Sequence, residues 1–579
     1  MAGGGDERAI RYEPEDRPPA LVTAGVGLQA AMTIIAPVVL TVVIVARIGG
    51  QPESYVSWGV VAALVVSGIA TILQAVRLGR IGSGHVMAMG TSGAFIAVCV
   101  AALEAGGPSL MASLVVVSSL FQFALAARLS LLRRVFTPVV SGTVVMLIAV
   151  TVAPVLYDTM GNVPEGTGLA AAPAAALATL VTVAALVLRG SPALRLWSPI
   201  VGIAVGCAVA APFGIYDTNA VLEASWVGFP VASWPGFDLS FGADFWTLLP
   251  PFVVVTIVGA VETIGDGIAV QQVSRRTPRA TDFRVVQGAL NADGVGNLFS
   301  GLAGTLPNTT YSSSLALAEV TGVASRRVGV VIGSVFIGVA FFPKISALLI
   351  AIPGPVAAGF VLFLIGMLFV QGMRLIVRDG LTHRKAAVVG LSFWLGVGFQ
   401  NQWIFPDILG DGFAGVLLAN GMTAGTIVAV AMVVFMELTG SRRRRLRLPL
   451  NTAALPPLRE FLQAFASRAQ WSESATARLT SAGEEALAVL LQQTGDGSDA
   501  QPRRLVVTAR SEGPSAVAEF VTVLGGQNME DQLAYLSELP PAPDEREVSF
   551  RLLWHYASSV RHQKYHGVDI VEVTVDRHL

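Results

Sequence analysis

The sequence predicts an all-α polytopic membrane protein with an added α/β domain at its C-terminus. Of its 579 residues, 53% are hydrophobic and only 13% are charged, whereas about 25% are charged in an average soluble protein. Five of the 39 acidic residues lie in the first twenty positions and 17 follow residue 450, which leaves 17 for the whole region between. So low a charge density excludes an ordinary soluble enzyme and indicates membrane spans. The net charge of −1 shows no basic excess for binding nucleic acid.

Apolar stretches between Leu21 and Leu438 predict about fourteen spans. If the N-terminus is cytoplasmic, the even-numbered connections carry most arginines, such as Arg275 and Arg276, and the odd-numbered ones carry few. This bias predicts a multi-pass protein of the cell inner membrane with both termini in the cytoplasm. The predicted parts are an N-terminal tail (1–20), a transporter domain (21–440), a basic linker (441–450) and a cytoplasmic α/β domain (451–579).

Two predicted spans, the third and the tenth, are interrupted by small and polar residues. They read GSGHVMAMGTSGAF at Gly82–Phe95 and GLAGTLPNTTYSSSLAL at Gly301–Leu317. Because they occupy corresponding places in two halves of seven spans, they predict a 7+7 inverted repeat with a binding site near the membrane midplane. Free N–H groups at half-helix ends would bind a polar ligand there. The alternative is loose helix packing through small residues.

Acidic residues inside the membrane domain are the next indication of function. Glu262 and Asp266 are four residues apart, so they lie on one face of the predicted eighth span. Burying carboxylates is costly, and two like charges in such a site favour one that holds a proton near neutral pH. We therefore expect proton coupling, although hydroxyls and amides of neighbouring helices could instead satisfy the pair. Asp293 and Glu319 are expected near cytoplasmic helix ends, where water solvates a charge at little free-energy cost. Their role stays open.

These motifs resemble the nucleobase-ascorbate transporters, the family of uracil, xanthine and uric acid permeases. ETIGD at Glu262–Asp266 is similar to the family's eighth span, NADGVGNLFSGLAG to its ninth, PNTTYSSS and TGVASR to its tenth, and SGTVVMLIAV at Ser141–Val150 to its fifth. The resemblance implies a core domain (spans 1–4 and 8–11) and a gate domain (spans 5–7 and 12–14) that move for alternating access. It implies a transporter rather than an enzyme, without a cofactor.

The resemblance also implies roles for individual residues. Glu262 would accept hydrogen bonds from ring N–H groups of a nucleobase, and Asp266 would occupy a neighbouring proton- or cation-linked position. The remaining substrate-binding residues would come from the interrupted segments, namely Thr91, Ser92, Gly93, Tyr311, Ser312, Ser313 and Ser314.

The sequence departs from the family pattern in three of the predicted spans, the tenth, the third and the first. Ser313, Ser314 and Ala316 stand where the family signature has Glu, Gln or Pro, then Asn, then Gly. Gly93 stands where uracil-transporting relatives have an aromatic residue, and Ala30 follows Gln29 where many relatives have His. A serine hydroxyl cannot reproduce a bidentate contact to a ring edge. We therefore expect a larger, less discriminating pocket that takes a purine such as xanthine or urate before uracil, or a pocket fitted to another ligand.

The leading hypothesis is proton-coupled symport of a nucleobase. One alternative is an organic-anion transporter, because Ser313 and Ser314 at a half-helix N-terminus suit negative charge. Another is a membrane sensor that signals through the C-terminal domain. The expected partners are a nucleobase-like small molecule, membrane lipid and a second copy of the chain. Cys99 and Cys207 lie in apolar runs without zinc-site spacing, so no metal site is predicted.

The C-terminal region has soluble character. Its patterns predict helices at Leu458–Gln470, Ser472–Gln493, Pro514–Leu524 and Val548–Val560, and strands at Arg504–Ala509 and Val568–Val575. The order of these elements is faintly similar to the histidine-kinase-type ATPase fold of anti-sigma-factor serine kinases.

In that fold Glu485 would be the acid of the nucleotide-binding helix. The Asn expected four residues later is Val489, and no DxGxG loop is present. The resemblance therefore implies a degenerate domain used for regulation or dimer contacts. An unrelated α/β domain and a STAS domain remain alternatives.

Overall fold

The computed structural model describes most of the chain. The described residues are 10–129, 137–164, 166–216, 218–228, 234–277, 279–378, 380–405, 418, 420–439, 444–493, 504–512, 515–523, 529, 545–566 and 568–577. The chain forms two compact units. The first comprises Met1–Arg276 and Val285–Val434, and the second comprises Thr277–Arg284 and Phe435–Leu579.

The first unit is built from long helices and two very short strands. In chain order they are α1 (Ala20–Ile48), α2 (Glu53–Val76), β1 (Met89–Thr91), α3 (Ile96–Ala127), α4 (Pro138–Gly161), α5 (Ala171–Arg189), α6 (Pro192–Ala210), α7 (Thr218–Glu223), α8 (Ala243–Val273), α9 (Phe283–Ala303), β2 (Asn308–Thr310), α10 (Ser313–Thr321), α11 (Arg326–Ala340), α12 (Pro343–Ile350), α13 (Gly354–Arg378), α14 (His383–Gln400) and α15 (Gly421–Thr439).

The lengths of these helices suit a membrane protein. Within the described ranges, seven helices are long and apolar enough to cross a membrane, or eight if the α11–α12 pair, bent by 88°, forms one span. Helix α3 also breaks at Gly107, where φ is +72° directly before Pro108. The structure confirms a mostly helical polytopic fold, whereas the count of fourteen spans stays a prediction.

Helix packing in the first unit falls into two groups. Helices α1–α3 pack with α8 and α11, and helices α4–α6 pack with α13 and α14. Glycine pairs allow close helix approaches, among them Gly68 with Gly333 between α2 and α11, and Gly142 with Gly372 between α4 and α13. A Cβ atom on any of the four would lie within 2.6 Å of the partner's carbonyl oxygen, so a side chain at these positions would force the helices apart.

The two interrupted segments meet each other. Strand β1 pairs antiparallel with β2, with Met89 opposite Thr310 and Thr91 opposite Asn308. Both strands are fully buried, and pairing satisfies backbone groups that would otherwise be costly away from water. Each strand leads into a helix, α3 or α10, so the pair places two helix beginnings close together.

The second unit is a five-stranded antiparallel sheet with helices on one face. Its elements are β3 (Arg444–Pro449), α16 (Leu455–Arg468), α17 (Glu473–Gln493), β4 (Arg504–Glu512), β5 (Ser515–Thr522), α18 (Glu545–Tyr556), β6 (Ser559–Tyr565) and β7 (Val568–Asp576). The strand order is β3-β4-β5-β7-β6. Its apolar core includes Leu487, Val489, Phe520 and Val571, all fully buried.

Three local expectations change in this unit. The helix predicted at Pro514–Leu524 is wrong, because the described residues there form strand β5, whose five central residues are all buried and so carry no period-two signal. The helix predicted at Val548–Val560 ends at Tyr556, and β6 follows. Part of the expected basic linker is strand β3, while residues 441–443 lie outside the described part of the chain.

Candidate functional site

Helix α8 carries the two predicted carboxylates. Glu262 is partly buried, and Asp266 is 5% exposed. The spacing of four residues places both on one helix face, as expected. The segment from β2 to the start of α10 lies against that face, as the hydrogen bonds below show.

Asp266 is held by two hydroxyl groups. Thr310 donates to its Oδ2 at 2.7 Å and Ser312 donates to its Oδ1 at 2.8 Å. Glu262 has a much weaker connection, a single bond of 3.4 Å from the Thr309 hydroxyl to Oε2. Both carboxyl oxygens of Asp266 are therefore occupied, whereas Glu262 retains most of its capacity to accept hydrogen bonds within the described structure.

The predicted residues of the two half-helices are also brought together. The Tyr311 hydroxyl donates to the Thr91 carbonyl at 2.8 Å, and the Tyr311 amide donates to the Ala88 carbonyl at 2.8 Å. The Ser92 amide donates to the Pro307 carbonyl at 2.9 Å. The two interrupted segments therefore hold each other in position through these hydrogen bonds.

The remaining predicted residues differ in what they offer a ligand. Ser313 is exposed, whereas the Ser314 hydroxyl donates to the Tyr311 carbonyl at 2.7 Å. The Ser92 hydroxyl is buried and has no hydrogen-bond partner in the described part of the chain. A Cβ atom on Gly93 would meet no atom of the described residues within 4 Å, so these residues leave open space where the resemblance places an aromatic residue.

Asp293 of α9 belongs to the same neighbourhood, which the sequence did not indicate. The expectation that solvent near a helix end makes its charge cheap is wrong, because Asp293 is 0% exposed. Its Oδ2 accepts hydrogen bonds from Thr263, at 2.7 Å, and from Gln122. Its Oδ1 accepts a bond of 3.3 Å from Asn297. Thr263 directly follows Glu262, so this network reaches the site helix.

The network continues from Asp293 to strand β2. Asn297 donates to the Gln122 side chain at 2.8 Å and accepts from the Asn308 amide at 2.6 Å. The Asn308 side chain accepts from Ser67 of α2 at 2.7 Å and donates to Ser300 at 2.6 Å. Buried polar groups thus link helices α2, α3, α8 and α9 to the strand beside the carboxylates.

A cavity of about 970 Å³ lies elsewhere in the first unit. Arg47, Glu53, Asn162 and Ser346 are among its lining residues, which include none of the predicted site residues. Its position gives no reason to move the candidate site away from Glu262. Over the described ranges, no three His, Cys, Asp or Glu side chains are grouped as metal ligands.

Comparison with known proteins identifies this arrangement. A sequence model described as the permease family matches residues 22–403, a range that contains both interrupted segments and the acids Glu262, Asp266 and Asp293. The chain belongs to this permease family. The resemblance to nucleobase-ascorbate transporters is thereby confirmed, and so is the expectation of a transporter rather than an enzyme.

Several curated proteins are similar to this permease over nearly their whole length. A putative purine permease of Clostridium perfringens is 30% identical over 417 residues, which cover 70% of this chain and 88% of that protein. The xanthine permease XanP of Escherichia coli is 29% identical over 442 residues, which cover 73% and 93%. As a member of this family, the chain is a multi-pass membrane protein that transports a small molecule.

A solved structure supports the fold of the permease. The murine Solute Carrier 26 family member A9 anion transporter, in its inward-facing state, matches with a TM-score of 0.50 at 14% identity. The match covers 75% of this chain and 71% of that one. At this identity the likeness concerns the fold alone.

Proposed function

We propose that the permease carries out proton-coupled symport of a nucleobase, a purine such as xanthine or urate before uracil. The observation that carries this proposal is the contrast between neighbouring acids. Among the described residues, Asp266 and Asp293 accept two and three hydrogen bonds, respectively, whereas Glu262 accepts one bond of 3.4 Å. Glu262 is partly buried and has acceptor capacity to spare, so it is the group whose partner a ligand would supply.

The ring edge of a purine offers suitable donors. Two adjacent N–H groups can bind one carboxylate, and each hydrogen bond to a charged acceptor contributes about 1.5–3 kcal/mol. The open space at Gly93 and the short, exposed Ser313 side chain support a ligand larger than a single pyrimidine ring. Two of the relatives, a putative purine permease and a xanthine permease, agree with this choice.

The transport cycle is inferred from the packing. Two helix groups, α1–α3 with α8 and α11 and α4–α6 with α13 and α14, would act as core and gate in alternating access. The antiparallel pairing of β1 with β2 supports the 7+7 inverted repeat and its fourteen spans. Protons are the coupling ion in this proposal because Glu262 and Asp266 are titratable carboxyl groups on one helix face.

Assembly and orientation are part of the same inference. We infer a homodimer in the cell inner membrane with both termini in the cytoplasm. The arginine-rich even-numbered connections support the location of the termini. Residues 451–579 would regulate transport or contribute dimer contacts. ATP binding by the full chain would instead favour a sensor.

Transport in proteoliposomes tests the proposal. Wild-type protein should accumulate labelled xanthine when the outside is acidified, and a protonophore should abolish the accumulation. Glu262→Gln should lose at least tenfold in xanthine affinity, since one acceptor oxygen becomes a donor. Glu319→Gln, an exposed residue of α10, is the matched control and should leave uptake unchanged. Uptake that is equal in wild type and Glu262→Gln would refute the assigned role of Glu262.

An organic anion is the second candidate, and one observation favours it. The exposed hydroxyl of Ser313 stands in the first turn of α10, where a helix dipole attracts negative charge. However, the Ser314 and Leu315 amides already donate to the carbonyls of Tyr311 and Ser312, which reduces the free donors. Competition of xanthine uptake by benzoate, but not by other purines, would support the anion alternative.

A further inference from the structure

The segment before the first span lies against two elements of the candidate site. Residues Ile10–Arg17 precede α1, which begins at Ala20. Backbone and side-chain bonds join this segment to the exit of α10 and to the exit of α8. We call Ile10–Arg17 the N-terminal strap.

On one side the strap adds a short extended pairing to the loop after α10. Tyr12 forms a parallel bridge with Val323. Five hydrogen bonds accompany the bridge: Arg11 N to Gly322 O at 2.8 Å, Tyr12 N to Gly322 O at 3.1 Å, Ala324 N to Tyr12 O at 2.8 Å, Arg326 N to Pro14 O at 3.1 Å, and Ser325 Oγ to Asp16 O at 2.7 Å. Gly322 caps α10 in the left-handed conformation, so the strap holds the end of that helix.

On the other side the strap binds the residues that follow α8. Glu15 pairs with Arg275 at 3.0 Å, and Glu13 accepts from the Arg276 amide at 3.0 Å. The Arg276 side chain lies 3.5 Å from the Asp16 carboxylate. It also donates to the carbonyls of Ile10, at 3.1 Å, and Arg11.

These contacts connect the two elements that carry the carboxylates and their partners. Asp266 on α8 accepts from Ser312 at 2.8 Å, immediately before α10. The length of this Ser312–Asp266 hydrogen bond depends on the position of α10 relative to α8. Within the described structure, the strap bonds to the C-terminal exits of both elements, beyond Val273 and Thr321.

We propose that the N-terminal strap is a positioning element, and that Glu13, Glu15 and Asp16 set the geometry between Glu262 and the half-helix α10. The proposal deepens the proposed function, because it assigns residues that tune substrate affinity without touching substrate. The ion pairs are partly exposed, with side-chain exposure of 18% for Arg275 and 61% for Glu15. Each pair alone contributes little and is screened by salt, so the strap acts through several bonds together.

Two truncations of the full-length protein form a matched test. Removing residues 2–17 deletes the strap, whereas removing residues 2–9 ends before it. Amide hydrogen exchange, which needs no substrate, should accelerate about fivefold or more for Ala324 and Arg326 after the longer deletion, since each loses its acceptor. Exchange across residues 308–316 should also accelerate, because the site segment is no longer held. The shorter deletion should match wild type.

Substrate binding provides a second, separate readout. The dissociation constant for xanthine should rise roughly three- to tenfold in Glu15→Arg and return toward the wild-type value in Glu15→Arg with Arg275→Glu. The wild-type constant should rise with salt, and the triple variant Glu13→Gln, Glu15→Gln, Asp16→Asn should show a flatter salt dependence. Rescue by charge exchange would show that the pairing of the two charges, rather than either charge alone, sets the affinity.

The outcomes separate the two proposals. If wild-type protein does not bind xanthine, the proposed substrate fails, and exchange across residues 308–316 still decides the role of the strap. If the longer deletion accelerates exchange at Ala324 but leaves residues 308–316 unchanged, the strap does not position the site and the inference is overturned. Equal exchange in both truncations would overturn it as well.

Discussion

Replacing Asp293 by leucine tests whether the buried network stabilises the site region. Two donors, the Thr263 hydroxyl at 2.7 Å and the Gln122 amide, depend on this carboxylate. Asn297 retains its bond to Gln122 at 2.8 Å. Each buried donor left unsatisfied costs about 1–3 kcal/mol, so Asp293→Leu should destabilise the protein by about 2–6 kcal/mol. The lower end applies if Thr263 rebonds to a carbonyl of its own helix.

The measurement is equilibrium unfolding of purified full-length protein in mixed micelles, followed by tryptophan fluorescence. A double-mutant cycle with Thr263→Val measures the coupling between Asp293 and Thr263. In the wild-type background Thr263→Val removes one bond and should cost about 0.5–1.5 kcal/mol. In the Asp293→Leu background it removes an orphaned hydroxyl and should be neutral or stabilising. Asp244→Leu, an exposed residue in the first turn of α8, is the control and should cost less than about 1 kcal/mol.

Two results would refute this reasoning. One is a cost below about 1 kcal/mol for Asp293→Leu, which would mean that the donors find other partners at no expense. The other is an equal effect of Thr263→Val in both backgrounds, which would mean that the two side chains are not coupled.

Two further predictions concern the pocket and the second unit. Gly93→Phe should shift relative affinity toward uracil and away from xanthine by about 1–3 kcal/mol, because an aromatic ring would stack on a small base and occupy the present space. Competition binding measures this shift, with Gly93→Ala as the control. Unchanged selectivity would contradict the prediction. Val489→Asn should destabilise the second unit by about 1–3 kcal/mol, because Val489 is 0% exposed in an apolar core, and it should not confer ATP binding. Limited proteolysis of the full chain measures the destabilisation, and a nucleotide-binding assay tests the binding. ATP binding without destabilisation would overturn the degenerate-domain interpretation.

The interrupted segments show what the sequence could predict. Gly, Ser and Thr in the midst of apolar spans are visible without a structure, and their corresponding positions in two halves indicated a shared site. The pairing of Gly90 with Thr309 was not visible, because three-residue strands carry no periodic signal. The position of Glu262 and Asp266 on one face followed from helical spacing alone.

Asp293 and the strap show where sequence reasoning ended. The run GALNADGVGNLFSG is too mixed in character to locate a span end, so the depth of Asp293 could not be read from it. Its partners, Gln122 and Thr263, are 171 and 30 residues away. Likewise, Glu15 and Arg275 are 260 residues apart, and no spacing rule connects them. Interactions of this kind are set by tertiary packing.

The three acids near the interrupted segments, Glu262, Asp266 and Asp293, therefore differ in how their carboxylates are hydrogen-bonded, which the sequence alone does not show. A carboxylate that already has donors for its oxygens is stabilised by the protein and holds neighbouring segments in place, as Asp266 does for Thr310 and Ser312. A carboxylate with one bond of 3.4 Å, as at Glu262, has unused acceptor capacity that a ligand can fill. Since a polar group away from water needs a partner, the least satisfied acid is the one that most favours substrate binding.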